Sequence, residues 1–298
     1  MPVVSLAEWT ASAARRMDAA DLFFGHGTAN AFDEACWMAA HVLGLPPDFE
    51  DFALGQSLTQ PAFDDLERLL IQRIETRKPL AYLVGHAWFA GLRFEVDEHT
   101  LIPRSPIAEL IHQGLQPWLD LDRPLKVLDV GTGCGCIAAA LAWYWPKLAI
   151  DAVDISAAAL AWAERNVAAL ELGDRVALTH SDLFEALGTR RYDLIVSNPP
   201  YVPERSMLEL PPEYRHEPAA ALAAGADGLD VVRRLLFEAP EHLTAGGLLL
   251  IEVGEAQAAA ELLLADSGAV WLEFEHGGEG VFLIDRAACT ALRDAARA

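Results

Sequence analysis

KVLDVGTGCGC, Lys126 to Cys136, is the stretch that decides how this chain folds. Its first half, through Val130, is a short apolar run of strand composition. Its second half sets Gly131, Gly133 and Gly135 between Thr132, Cys134 and Cys136, then runs straight into CIAAALAWYW (136–145), a helix-forming segment. A strand, a glycine-rich turn and a helix in succession open a βαβ unit. The glycines let the backbone turn sharply and let a ligand approach the main chain. The helix N-terminus adds oriented N–H groups. A dinucleotide fingerprint reads GxGxxG. Here the spacing is GxGxG, preceded by Asp129, and residue 136 is Cys.

Toward the C-terminus the alternation continues. AIDAVDIS (149–156) reads as a strand ending in acids, and AAALAWAERNVAAL after it as a helix. VALTHSD (176–182) and Tyr192 to Val196 read as further strands. A helix is predicted near Val231 to Phe237, and GGLLLIEVG (246–254) as another buried strand. VWLEFEHGGEGVFLID (270–285) reads as two strands around a glycine-rich turn, hence an antiparallel pair. The pattern predicts an α/β fold with a parallel sheet and helices on both faces.

Toward the N-terminus the period becomes helical. It links Leu6, Trp9 and Ala13, then Phe32, Ala35, Cys36 and Ala39, then Leu66, Leu69, Leu70 and Ile74. Gly25 and Gly27 interrupt it, and Thr28 or Asn30 caps the next helix. VGHAWFAGLRFEV (84–96) predicts a β-hairpin turning at Ala90-Gly91. Leu101 to Pro106 is a proline-punctuated linker, and a helix follows from Ile107 to Leu115. The domain boundaries expected are a helical domain at 1–80, a hairpin linker at 81–105 and the α/β domain at 106–298.

Hydrophobic residues make up 53% of the 298, enough for a sizeable core. The formal net charge of −22 repels a phosphate backbone and suits a basic partner or a small molecule. Direct nucleic-acid binding is therefore not expected. Cys36, Cys134, Cys136 and Cys289 form no CxxC pair, and no His pair completes a zinc pattern. No metal is expected, and reduced thiols in a cytoplasmic protein are the default. MPVVSLAEWTASAARR lacks a basic segment before an apolar core, so it does not read as a secretory signal. No apolar run is long enough to span a bilayer. His26 reads as a structural loop histidine.

The GxGxG loop behind Asp129 resembles that of S-adenosylmethionine-dependent methyltransferases. The resemblance implies a Rossmann-like seven-stranded sheet with an antiparallel last strand, and S-adenosyl-L-methionine as cofactor. It places Asp129, Gly131, Thr132, Gly133 and Gly135 against that cofactor. Asp154, nineteen residues after Gly135, ends the second strand, where a carboxylate accepts hydrogen bonds from ribose hydroxyls. Asp182 ends the third, within reach of an adenine amino group. Each acid alone reads equally well as a solvated strand end. Loop and acids at successive strand ends carry more weight, because open α/β sheets bind ligands at that edge.

SNPPYV (197–202) ends the fourth strand at the same edge. Proline cannot donate to a ladder, so the strand stops there, and Asn198 is held extended. An amide or aromatic amino nitrogen is a poor nucleophile because its lone pair is delocalised. Two acceptors, Asn198 Oδ1 and the Pro199 carbonyl, can hold its hydrogens as it accepts a methyl group. Pro200 stiffens the loop, and Tyr201 can stack on a planar target. No general base is needed, and neither His216 nor Glu217 is assigned as one. The motif alone leaves adenine, cytosine and glutamine amides open as targets.

Over nearly its whole length the chain resembles the HemK-like N(5)-glutamine methyltransferases. The carrying segments are the hairpin, IPRSP, DVGTGCG, AVDIS, SDLF, NPPYV and EPAAALAAGADGL (217–229). One branch of that family methylates the GGQ glutamine of release factors, the other a glutamine of large-subunit ribosomal protein L three. FFGHGTANAFDEA (23–35), the 81–110 segment and LPPEYRHEP (210–218) resemble the ribosomal branch. Release-factor enzymes typically carry a PRPxTE-like linker, whereas here Pro103-Arg104-Ser105-Pro106 stands. The resemblance implies a basic ribosomal protein as partner, and substrate recognition by the helical domain. An acidic enzyme meets such a partner with complementary charge.

Overall fold

The computed structural model of the chain describes residues 4–46, 49, 54–275 and 277–297. In chain order its strands are β1 (His86–Phe89), β2 (Leu92–Glu95), β3 (Leu125–Val130), β4 (Leu148–Asp154), β5 (Val176–His180), β6 (Tyr192–Ser197), β7 (Leu243–Glu252), β8 (Val270–Trp271) and β9 (Val281–Asp285). β1 and β2 form the expected hairpin, and Ala90 and Gly91 at its turn have φ of 48° and 74°. Positive φ at both central residues matches the twist of the flanking strands.

The other seven strands form one sheet in the order β5-β4-β3-β6-β7-β9-β8. β5 through β7 are parallel neighbours, and β9 is antiparallel to both β7 and β8. The chain winds outward from β3 to β5, then returns to the other side of β3 as β6. That reversal makes the tips of β3 and β6 a topological switch point, where such sheets bind ligands. Gly131 and Asn198 follow directly from those two tips.

Two compact units are resolved by their contacts: residues 1–87 with 211–216, and residues 88–210 with 217–298. In the second unit the sheet is covered on both faces. Leu128, Val130, Ile195, Leu249 and Ile251 join a core with Leu235, Leu236 and Ala239 of helix Asp230–His242. Leu194, Val196 and Leu250 instead meet Ile107, Leu110 and Ile111 of helix Ile107–Gln113 and Leu141 of helix Cys136–Tyr144. The alternation of a parallel strand buried on both faces accounts for these near-continuous apolar runs.

Some boundaries differ from the sequence reading. β5 ends at His180, so Asp182 lies in the following turn. β8 has two residues, and residues 272–280 make a longer connection than a tight turn. Helix Arg286–Arg297 had no sequence signal strong enough to read. It is short on apolar residues overall, with Cys289 its buried one, although those it has fall on one face.

The first unit is helical. Ser5 and Glu8 form a capping box before helix Leu6–Ala19, and Asn30 rather than Thr28 caps helix Ala31–Leu43. Helix Gln60–Thr76 carries Arg73, whose side chain is fully buried. Arg73 Nε donates to Glu34 Oε1 at 2.7 Å, and its Nη2 donates to the Phe23 carbonyl at 3.0 Å. Glu213, from the 211–216 segment, is also fully buried. It accepts from Phe23 N at 3.1 Å and pairs with Arg77 at 2.8 Å. Burial raises the Glu34 carboxyl above its usual range, against the pull of Arg73. His26 is buried with its ring 4.5 Å from Tyr214, and His216 bonds the Thr76 carbonyl at 3.1 Å.

Candidate active site

A cavity of about 380 Å³ opens at the switch point. That volume suits a small-molecule or cofactor site, which runs from about 300 to 1,000 Å³. Gly131, Gly133, Asp154, Asp182, Asn198, Pro199 and Pro200 line it together, with His99 to Leu101, Pro218 and Arg234. Seven positions singled out from sequence thus belong to the wall of one cavity. Asp129, Thr132, Gly135 and Tyr201 are not on that wall.

Those four lie behind it and hold it. Asp129 is fully buried at the end of β3. Its Oδ2 accepts from Thr132 Oγ1 at 2.6 Å and from Ala138 N at 3.1 Å, which clamps the loop onto the helix start. Among the described residues its buried Oδ1 has no hydrogen-bond partner, and burial pushes the carboxyl up to about 7. Gly135 sits so close to the next helix that a Cβ there would lie 3.1 Å from Ala163 Cβ. Gly131 and Gly133 have open space where a Cβ would be, but their φ of 74° and 57° disfavours any other residue.

Asp154 closes β4 and braces the same loop. Its Oδ2 accepts from Gly133 N and its Oδ1 from Ser156 N, both at 2.8 Å. Burial raises its carboxyl despite those bonds. The loop amides are also drawn onto β4, where Gly131 N and Thr132 N both donate to the Val153 carbonyl. Asp182 Oδ1 accepts from Arg234 Nη1 at 2.9 Å, so the two form one polar edge of the cavity. At the tip of β6 the buried Ser197 hydroxyl donates to the Val130 carbonyl at 2.7 Å, tying the two switch-point strands together.

Three residues hold this site in ways that sequence reading did not give. Asn166, 2% exposed in helix Ala157–Ala169, donates to the Cys134 carbonyl at 2.9 Å and to the Glu95 carbonyl at 3.0 Å, and accepts from Glu95 N at 2.7 Å. It joins the glycine loop to the hairpin. Its signal is a polar residue on a buried helical face. Glu217 takes a bidentate bond from Arg104, both contacts at 2.6 Å, and accepts from Ile102 N at 3.0 Å. It fixes the linker and is not free to act as a base. Glu252, at the end of β7, meets Ser105, Tyr201 and Asn198. The Tyr201 hydroxyl therefore points at Glu252, and a Cβ at Gly254 would lie 2.6 Å from the Tyr201 ring.

The Cys136 thiol is raised well above its usual range by its bond with Cys134 and by burial. Among the described residues no cluster of His, Cys, Asp or Glu is arranged to hold a metal, and no helix is long and apolar enough to cross a membrane.

The site has what a nucleoside-bearing, charged cofactor needs. Its glycine loop leaves space at Gly131 and Gly133, and the Asp154 and Asp182 carboxylates line the same cavity. The family described as methyltransferase small domain matches residues 113–210. The ribosomal protein uL3 glutamine methyltransferase of Bordetella pertussis is 46% identical over 277 residues, covering 92% of either chain. That of Xanthomonas campestris pv. campestris is 46% identical, covering 91% of this chain and 87% of its own. That of Francisella tularensis subsp. tularensis is 42% identical over 90% of this chain and 86% of its own. Among solved structures, the hMettl16 catalytic domain superposes with a TM-score of 0.52 at 16% identity, over 83% of this chain and 92% of that one. At that identity the likeness is one of fold.

Proposed function

The chain belongs to the ribosomal protein uL3 glutamine methyltransferases, and from that premise we propose that it transfers a methyl group to the N5 amide nitrogen of a glutamine in uL3. The observation that carries the reading is the shared wall: Asn198, Pro199 and Pro200 line the same cavity as Gly131, Gly133 and Asp154. Acceptor groups for a planar NH2 and a cradle for the methyl donor therefore face one space.

The cofactor is S-adenosyl-L-methionine, which supplies an electrophilic methyl group when bound. The Gly131–Gly135 loop and Asp154 hold it, with Asp182 and Arg234 at the far edge. Asn198 Oδ1 and the Pro199 carbonyl accept the two hydrogens of the glutamine amide. As positive charge develops on the nitrogen, its N–H groups become stronger donors and both bonds tighten. That is preorganised stabilisation at the reacting atom, with orientation supplied by a proline-stiffened loop. The surplus proton leaves to water after transfer.

The helical unit serves substrate recognition in this reading. It incorporates residues 211–216, which follow the NPPY loop by ten residues in the chain. A basic ribosomal protein in the cytoplasm fits an enzyme of charge −22, and that charge disfavours nucleic acid.

Asp154→Ala is expected to raise the Kd for S-adenosylmethionine by about ten- to a hundredfold, the worth of hydrogen bonds to a charged acceptor. Calorimetry checks this, and an unchanged Kd removes Asp154 from the site. The function itself is tested by offering labelled S-adenosylmethionine with purified uL3, a release factor and duplex DNA side by side. Label in uL3 alone is the expected result. Label in the release factor instead keeps the chemistry and changes the substrate; label only in DNA overturns the reading of the target.

A further inference from the structure

We propose that Glu252 is a positioning residue that holds the Asn198 amide in the one orientation that presents its oxygen to the substrate, an inference that rests on the role of Asn198 given above. Glu252 closes β7 and is 2% exposed. Its Oε2 accepts from Ser105 Oγ, and its Oε1 accepts from the Tyr201 hydroxyl at 3.1 Å. Ser197 pairs with Ile251 across parallel β6 and β7, so Asn198 stands beside Glu252 one step on, with its amide in reach of the same carboxylate. Ser105 of the 101–106 linker and Tyr201 and Asn198 of the NPPY loop thus converge on one buried acid.

The chemistry of the partners fixes the geometry. A carboxylate has only acceptors, whereas an asparagine amide has a donor end and an acceptor end. Facing an acceptor-only group, Asn198 must turn its NH2 toward Glu252. Its Oδ1 then points away from Glu252, as Asn198 lines the cavity. A glutamine NH2 arriving as substrate needs that oxygen. A flipped Asn198 would meet it donor to donor. Ser105 and Tyr201 immobilise the carboxylate that prevents the flip.

The device is sensitive to protonation. Burial pushes the Glu252 carboxyl up to about 7, against the bonds from Ser105 and Tyr201. The charged group facing it is Arg104, itself paired with Glu217, and the neutral Tyr201 phenol donates to it. Below that pH Glu252 gains an O–H donor, which can bond Asn198 Oδ1 and release the amide to turn. Turnover is expected to fall on the acid side for that reason.

The test uses the full chain as wild type, Glu252→Gln and Glu252→Asp. Side-chain amide resonances of Asn198 are identified by their loss in Asn198→Ala. In the wild type this pair is expected to move as pH falls through the Glu252 transition, and in Glu252→Gln to be displaced and insensitive to pH. Glu252→Gln is expected to lose about 100-fold in kcat, the order found for one preorganised hydrogen-bonding group, with KM and cofactor Kd little changed. Glu252→Asp, still acceptor-only, should recover part of the loss; a merely structural role would not separate Asp from Gln in this way. An Asn198 pair unmoved by pH in the wild type overturns the proposal, even where Glu252→Gln fails to fold. So does a folded Glu252→Gln with wild-type kcat. A wild type whose Asn198 pair behaves as described but which leaves uL3 unmodified sinks the assigned substrate and leaves the Glu252–Asn198 coupling standing.

Discussion

Asn198→Ala is expected to lower kcat by about 10²–10³-fold while leaving S-adenosylmethionine affinity largely intact. The reason lies in what each side of the cavity does. The cofactor wall is built from the Gly131–Gly135 loop and Asp154, whose bonds to Gly133 N and Ser156 N do not involve Asn198. The acceptor wall depends on Asn198 and on a rigid proline backbone. Truncation removes one of two acceptors for the substrate NH2, so the bond that strengthens most as charge develops is gone. It also leaves Glu252 with Ser105 and Tyr201 as its donors, so the buried acid keeps partners and the fold survives. Single-turnover kinetics and calorimetry on the same preparation check both halves. Wild-type turnover in a folded Asn198→Ala removes it from the chemistry.

Arg73→Ala is expected to destabilise the helical unit by about 3–5 kcal/mol, the cost of leaving a buried charge uncompensated. Arg73 and Glu213 are both fully buried, and Glu34 is 1% exposed. Without Arg73, Glu34 retains the Thr28 hydroxyl at 3.3 Å, while Glu213 keeps Arg77 and Phe23 N. Burial already raises the Glu34 carboxyl, so it answers the loss by taking up a proton. The Phe23 carbonyl loses its donor as well. Urea unfolding measures the effect, and a change under about 1 kcal/mol contradicts it. Replacing Arg73 and Glu34 together by apolar residues of similar volume should cost less than the single change, because no charge is then stranded. Glu213 enters this cluster from the 211–216 segment, so deleting residues 1–80 would strip its partners. Point substitutions are the cleaner probe of this unit.

What could be read from sequence was what is local. The GxGxG turn, the strand tips at Asp154 and Asn198, the Ala90-Gly91 turn and a cap at Thr28 or Asn30 all announce themselves within a few residues. The β-α alternation carried the sheet, and the short turn chemistry carried the hairpin. What escaped depends on pairs far apart in the chain. Glu252 read as the end of an apolar strand, and nothing near it announces Ser105, which lies 147 residues away. Asn166 read as one helical position among many, although it ties Glu95 to Cys134 across 71 and 32 residues. Asp129 and Tyr201 were marked for the site from sequence, and local pattern could not say that they stand behind its wall. A side chain's direction depends on its partners, and those come from elsewhere.

The most direct test of the central claim is tandem mass spectrometry of uL3 after incubation with S-adenosylmethionine and either the wild-type chain or Asn198→Ala. The account predicts one added methyl group on the side-chain amide of a glutamine, present with the wild type and nearly absent with the variant. A methyl group on lysine or on the amino terminus, or equal glutamine modification by both proteins, would contradict it.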